Sequence, residues 1–102
     1  SGLHGLSKAL SREVAQFNIT INNLLPERID TDRQTQMLNL QAKLTGTSYE
    51  ESRKALEETL SAKRMGTAEE FSGICTFLCS QQAAYISGQN ISVDGGNSTN
   101  LI

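Results

Sequence analysis

Few residues of this 102-residue chain are of types that do chemistry, and their spacing narrows what they could do. Cys75 and Cys79 lie four apart in a helical pattern, which puts two thiols on one helix face. A metal site needs three or four ligands, and the one histidine, His4, is remote with no further Cys or His to complete a set. The pair therefore reads as two buried core thiols in a reducing compartment, with no metal. The better candidate is the stretch 18–31. Ile19, Thr20, Ile21, Leu24 and Leu25 form a β-branched and apolar run that reads as a buried strand over 18–26. Pro26 cannot donate to a sheet ladder and ends it, and the polar loop from Glu27 to Thr31 follows. Ligands of open α/β sheets sit in that place, past the C-terminal end of a strand. Thr31 before Asp32 also reads as the N-cap of a helix, a role compatible with ligand contact.

The elements around that loop follow from periodicity. Leu3, Leu6, Leu10, Val14 and Phe17 recur at three- and four-residue steps, one face of a helix over 1–17. Gly2, Gly5 and Ala9 among them suit either close approach of another helix or ordinary packing on a sheet. Met37, Leu40 and Leu44 predict a helix over 32–45, closed by Gly46. A capping box follows, Thr47 with Glu50 or Ser48 with Glu51, and opens a second helix to about residue 62. That helix turns Ala55, Leu56 and Leu60 inward and pairs Glu50 with Lys54 outward. Thr67 and Glu70 form another box before a helix over 67–80 carrying Phe71, Ile74, Cys75, Leu78 and Cys79. Arg64 just ahead of it reads as a loop-fixing ion pair or carbonyl contact or, alternatively, a contact for an anionic substrate group. In the connector 81–88, Tyr85 and Ile86 are the expected anchors. Residues 90–93 alternate polar and apolar as a short last strand, and Asp94-Gly95-Gly96 makes a turn.

Composition excludes several classes. The net charge of −2 and the lack of any aromatic–basic patch argue against nucleic acid as a partner. No apolar run approaches a membrane span and no signal-peptide pattern opens the chain, so the expected setting is cytoplasmic, with no membrane partner. The sequons at Asn18, Asn90 and Asn97 read as chance occurrences. The chain opens on Ser1-Gly2, not Met, inside a helical pattern, and reads as part of a longer protein.

Three stretches carry a family resemblance. Ile21-Asn22-x-x-x-Pro26, with Ile29 and Thr31, resembles the V-N-x-x-x-P-G-x-[IV]-x-T segment of the short-chain dehydrogenase/reductases. Residues 64–71, Arg-Met-Gly-Thr-Ala-Glu-Glu-Phe, resemble their R-x-G-x-P-E-E-[IF] helix start, and 87–96 resemble their closing T-G-Q-x-I-x-V-D-G-G. Order and spacing agree over nearly the whole chain, closest to the 3-oxoacyl-ACP-reductase type.

The resemblance implies an α/β fold, the C-terminal portion of a Rossmann-type doubly wound parallel sheet. This portion holds the last two strands with their helices and a long helical substrate lid over 31–63. It implies an oxidoreductase that moves hydride between NAD or NADP and a carbonyl or alcohol substrate. The family's catalytic Tyr-x-x-x-Lys and Ser map outside this chain, which has no catalytic residue of its own: Arg53 follows Tyr49 and Gln89 follows Tyr85 where a Lys would stand. The chain alone is thus expected to be inactive. Pro26, Glu27, Ile29 and Thr31 match positions at the nicotinamide end of the cofactor, the backbone at Ile29 toward the carboxamide. Glu27 departs from the family's Gly, loses that residue's backbone freedom and brings in a carboxylate expected to pair with Arg28 or Arg33. The first helix and the final turn are implied to contribute to a homo-oligomer, dimer or tetramer. The competing reading is a non-catalytic helical interaction module, which the lack of a complete catalytic set favours. Against it stands the strand edge that an isolated chain would leave unpaired, so the chain is expected to be ordered only with further chain or by self-association.

Overall fold

The structure, a computed structural model, describes residues 2–99. Four helices, α1 (Gly2–Val14), α2 (Asp32–Thr45), α3 (Tyr49–Thr59) and α4 (Ala68–Leu78), accompany two strands, β1 (Asn23–Pro26) and β2 (Asn90–Val93). The strands pair in parallel, Asn23 with Asn90 through Pro26 with Val93. Parallel neighbours need a crossover, and α2, α3 and α4 supply it. The chain is extended, 56 × 26 × 22 Å, with a radius of gyration of 17.2 Å against about 13 Å for a compact domain of this length.

Local chemistry accounts for the helix ends. Gly46 takes φ +70° and donates its N–H to Ala42 O, closing α2. Of the two capping registers, Ser48 with Glu51 forms: Glu51 N–H donates to Ser48 Oγ and Ser48 N–H to Glu51 Oε1, both at 3.1 Å. Thr67 and Glu70 form the box that opens α4.

The expected strand over 18–26 shortens to its last four residues. Asn22 takes the place of the ladder before them: its Nδ2 donates to Ile86 O at 3.0 Å and its Oδ1 accepts from Gln89 N–H at 3.1 Å. Ser87 Oγ likewise receives Ile21 N–H at 3.1 Å. Segment 19–22 is thus held beside 86–89 largely by side chains, with Ile19 half exposed.

Burial corrects the faces read from periodicity. In α2 the buried residues are Leu38 and Ala42, while Met37, Leu40 and Leu44 are exposed. Leu38 packs with Leu60 and Met65 into a small core that Tyr49 and Leu56 flank, and Ala55 lies at the surface. In α1 it is Ser11 that is buried, against Gly88, whose missing side chain lets the helix in: a Cβ there would lie 2.8 Å from Ser11 Oγ. Leu3, Leu6, Leu10 and Phe17 point away from the described chain, so sheet packing is not what that face does here. Cys75 and Cys79 are exposed, not buried. Helix α4 turns Phe71, Ile74 and Leu78 inward, and the cysteines, one position further on, fall off that face. Tyr85 is fully exposed and anchors nothing; Ala83, 1% exposed, holds the connector instead.

Candidate functional site

The loop after β1 is positioned by a second, shorter pairing. Ile29 and Gly66 form one parallel bridge, with Asp30 N–H donating to Gly66 O at 2.8 Å and Gly66 N–H to Arg28 O at 3.0 Å. Gly66 is required by closeness, since a Cβ there would stand 2.9 Å from Ile29 Cδ1. Ahead of the bridge, Glu27 N–H donates to Val93 O at 3.2 Å and carries the ladder one step past β1.

These bonds use the groups on either side of Ile29 and leave its own N–H and C=O without a partner among the described residues. Alternation along an extended segment aims that pair away from Gly66. The four sequence-predicted residues, Pro26, Glu27, Ile29 and Thr31, come together around one open cleft of about 530 Å³, with Arg28, Arg33 and Met37 on its rim. Thr31 occupies the N-cap position of α2, yet its hydroxyl makes no capping bond, and its carbonyl receives Thr35 N–H at 3.0 Å. The capping role read from Thr31 and Asp32 is thus one of position, and the hydroxyl is left for other contacts.

Glu27 behaves differently from expectation. Its carboxylate accepts from Asn97 Nδ2 at 3.0 Å and pairs with neither Arg28 nor Arg33. Asn97 also receives Ser61 N–H at 3.2 Å, so this side chain ties the loop to the end of α3. The left-handed backbone of the loop falls at Arg28, with φ +57°, one residue after the position where the family keeps Gly. A non-glycine residue there carries strain that the bridge at Arg28 O helps to hold.

Two ion pairs brace the site from outside. Arg53 Nη2 meets Asp30 Oδ2 at 2.9 Å, while its Nη1 donates to Tyr49 Oη at 3.2 Å. The bond to Asp30 and then that to Tyr49 hold the guanidinium pKa above its ordinary value. Tyr49 and Arg53 therefore fasten α3 to the loop, and Tyr49 packs beside the core. Arg64 clasps Glu70 through two bonds of 2.7 and 2.8 Å, the loop-fixing ion pair read from the sequence. The Arg64 guanidinium, with the Thr67 N–H, holds the Glu70 carboxyl down at about 2. Sequence reasoning missed Asn22, Gly66 and Asn97 as positioning residues; Asn22 and Gly66 stood inside quoted motifs, whereas nothing local marks Asn97. Among the described residues no group of three or more His, Cys, Asp or Glu could hold a metal.

An open cleft at the carboxyl end of a parallel strand, with a helix N-terminus beside it, is the ligand-binding arrangement of Rossmann-type α/β proteins. The profile of a family described as Enoyl-(Acyl carrier protein) reductase matches residues 1–98. The chain belongs to the short-chain dehydrogenase/reductase family, a family of NAD(P)-dependent oxidoreductases. It is 38% identical over 97 residues to the NADPH-dependent reductase BacG of Bacillus subtilis, covering 95% of this chain and 38% of that protein. It is 35% identical over 96 residues to the 3-oxoacyl-[acyl-carrier-protein] reductase MabA of Mycobacterium tuberculosis, covering 94% and 34%. The crystal structure of L-sorbose reductase from Gluconobacter frateurii, complexed with NADPH and L-sorbose, superposes with a TM-score of 0.87 at 31% identity. That match covers 98% of this chain and 38% of the other. The chain thus spans between a third and two fifths of the length of these relatives.

Proposed function

We propose that this chain is the C-terminal segment of one Rossmann domain in an NAD(P)-dependent oxidoreductase that transfers hydride between nicotinamide and a carbonyl or alcohol carbon. The observation that carries the reading is the unused N–H and C=O of Ile29 at the cleft. A primary carboxamide offers one acceptor and two donors, so this backbone pair can hold it by two bonds in one plane. Thr31 Oγ1 and the first-turn N–H groups of α2 stand ready for the carboxamide or the neighbouring phosphate. Pro26 and Glu27 form the near wall, with Glu27 drawn aside by Asn97.

The bound cofactor supplies the hydride. The residues of this chain orient it: Ile29 fixes the plane of the carboxamide, and Gly66 and Asp30 fix Ile29. Helices α2 and α3 then act as the lid over the substrate, clamped by Arg53 to Asp30. The proton donor must reach the substrate oxygen, and Tyr49, which accepts from Arg53 beside the core, does not line the cleft. The catalytic Tyr, Lys and Ser come from elsewhere in the protein, and this chain by itself is inactive. The outward leucine face of α1 takes part in a homo-oligomer contact.

Titration of NADH and NADPH, followed by nicotinamide fluorescence, tests this in the protein as its gene encodes it. Binding of either nucleotide, weakened about fivefold by Thr31→Val as expected for one lost hydrogen bond, supports the reading. Absence of binding to both overturns it in favour of the interaction module.

A further inference from the structure

Glu27 stands where the family keeps Gly, and among the described residues it is the one acidic side chain lining the cleft at the end of β1. Its backbone is fixed by the ladder bond from Glu27 N–H to Val93 O at 3.2 Å. Its carboxylate is fixed by Asn97, whose Nδ2 donates to Glu27 Oε1 at 3.0 Å. Asn97 is anchored in turn: its Oδ1 accepts from Ser61 N–H at 3.2 Å, and its own N–H donates to Asp94 O at 3.1 Å. The group that holds the carboxylate is thus a neutral amide. Glu27 forms no ion pair among the described residues, although Arg28 and Arg33 line the same cleft. The side chain is held in place while its charge is left uncancelled by a partner.

We propose that this fixed charge biases the site toward the oxidised nicotinamide and so makes the bound reduced nucleotide a stronger hydride donor. The inference rests on the oxidoreductase reading, which puts the carboxamide on Ile29, two residues after Glu27. Transfer of hydride with its electron pair to the carbonyl carbon turns a neutral ring into a cationic one, and the carbonyl oxygen takes its proton from the acid supplied elsewhere in the protein. A negative side chain on the wall of that site lowers the free energy of the cationic ring and leaves the neutral one nearly untouched. Arg28 and Arg33 act in the opposite sense, so Glu27 also offsets the positive charge that they bring to the cleft. The internal balance of the reaction moves toward alcohol and oxidised nucleotide, the direction of carbonyl reduction. Gly at this position supplies no such charge.

The test uses the protein as its gene encodes it. Calorimetric titration with NAD+ and NADH, and with NADP+ and NADPH, gives the ratio of oxidised to reduced dissociation constants for whichever pair binds more tightly. Glu27→Gln removes the charge and keeps an oxygen for Asn97 Nδ2, whereas Glu27→Gly removes the charge and the side chain together. Both variants should shift the ratio about fivefold in favour of the reduced form, as expected for one partly screened charge. For a two-electron couple that shift is about 20 mV in the bound potential. The difference from the parent should shrink as ionic strength rises. A Glu27 that only braces the loop would give a different pattern: an unmoved ratio in Glu27→Gln, with both forms weakened alike in Glu27→Gly. That pattern, in a protein that binds the nucleotides, overturns the proposal and leaves the oxidoreductase reading standing. Failure of the parent to bind any of the four nucleotides overturns both.

Discussion

Ile29 and Gly66 face each other across a single parallel bridge whose two hydrogen bonds, 2.8 and 3.0 Å, both bypass the N–H and C=O of Ile29. The bridge brings Ile29 Cδ1 so near that a Cβ on Gly66 would stand 2.9 Å from it. Gly66→Ala should therefore destabilise the protein by about 1 kcal/mol and weaken NAD(P)H binding as the loop shifts. Ile29→Val removes the opposing methyl, so the double variant should recover much of the loss. A double-mutant cycle by urea denaturation reads the coupling, and strict additivity would count against the close contact.

Glu70 makes stability depend on acid in a defined window. Its carboxyl, held by Arg64, titrates at about 2 in the folded chain against about 4.3 unfolded. A depressed folded pKa contributes stability that is fully present above the unfolded value and is lost as pH falls through the folded one. Urea midpoints of the parent should fall between about pH 5 and pH 2, and Glu70→Gln should remove that part of the slope. Both groups are at the surface, so added salt should shrink the difference.

Arg53 links α3 to the loop after β1 through Asp30. Arg53→Met should cost about 0.5–1 kcal/mol and raise amide exchange at Ile29 and Thr31 more than at α4. Tyr49→Phe keeps the ring beside the core and loses only the one hydrogen bond from Arg53, so it should cost less than Arg53→Met. Equal exchange rates in Arg53→Met and the parent would show that the clamp does not hold the loop.

Leu6 and Leu10, 64% and 43% exposed, lie on the outward face of α1. Replacing both with Glu should lower the oligomeric mass in light scattering while the far-ultraviolet dichroism stays unchanged. An unaltered mass would count against the proposed homo-oligomer contact through α1.

Sequence alone determined what depends on neighbours within about one turn. Gly46 after α2 and the box at Thr67–Glu70 are contacts spanning three or four residues, readable as spacing, as were the two registers open to the other box, of which the fold took Ser48–Glu51. Pro26, Ile29 and Thr31 were legible because their motif keeps a fixed distance from the strand end. Tertiary structure decided the rest. Whether α2 buries Leu38 and Ala42 or the Met37–Leu40–Leu44 face depends on where α3 lies, which no period encodes. Likewise, the exposure of Cys75 and Cys79 depends on what α4 packs against. The partner of Glu27 proved to be Asn97, seventy residues away, and not the arginines beside it. Above all, the free N–H and C=O of Ile29 exist because a bridge to Gly66, thirty-seven residues on, spends the groups on either side and spares these. Hydrogen bonding is short-ranged in space and indifferent to sequence distance, so that vacancy arises only once the chain has folded back on itself.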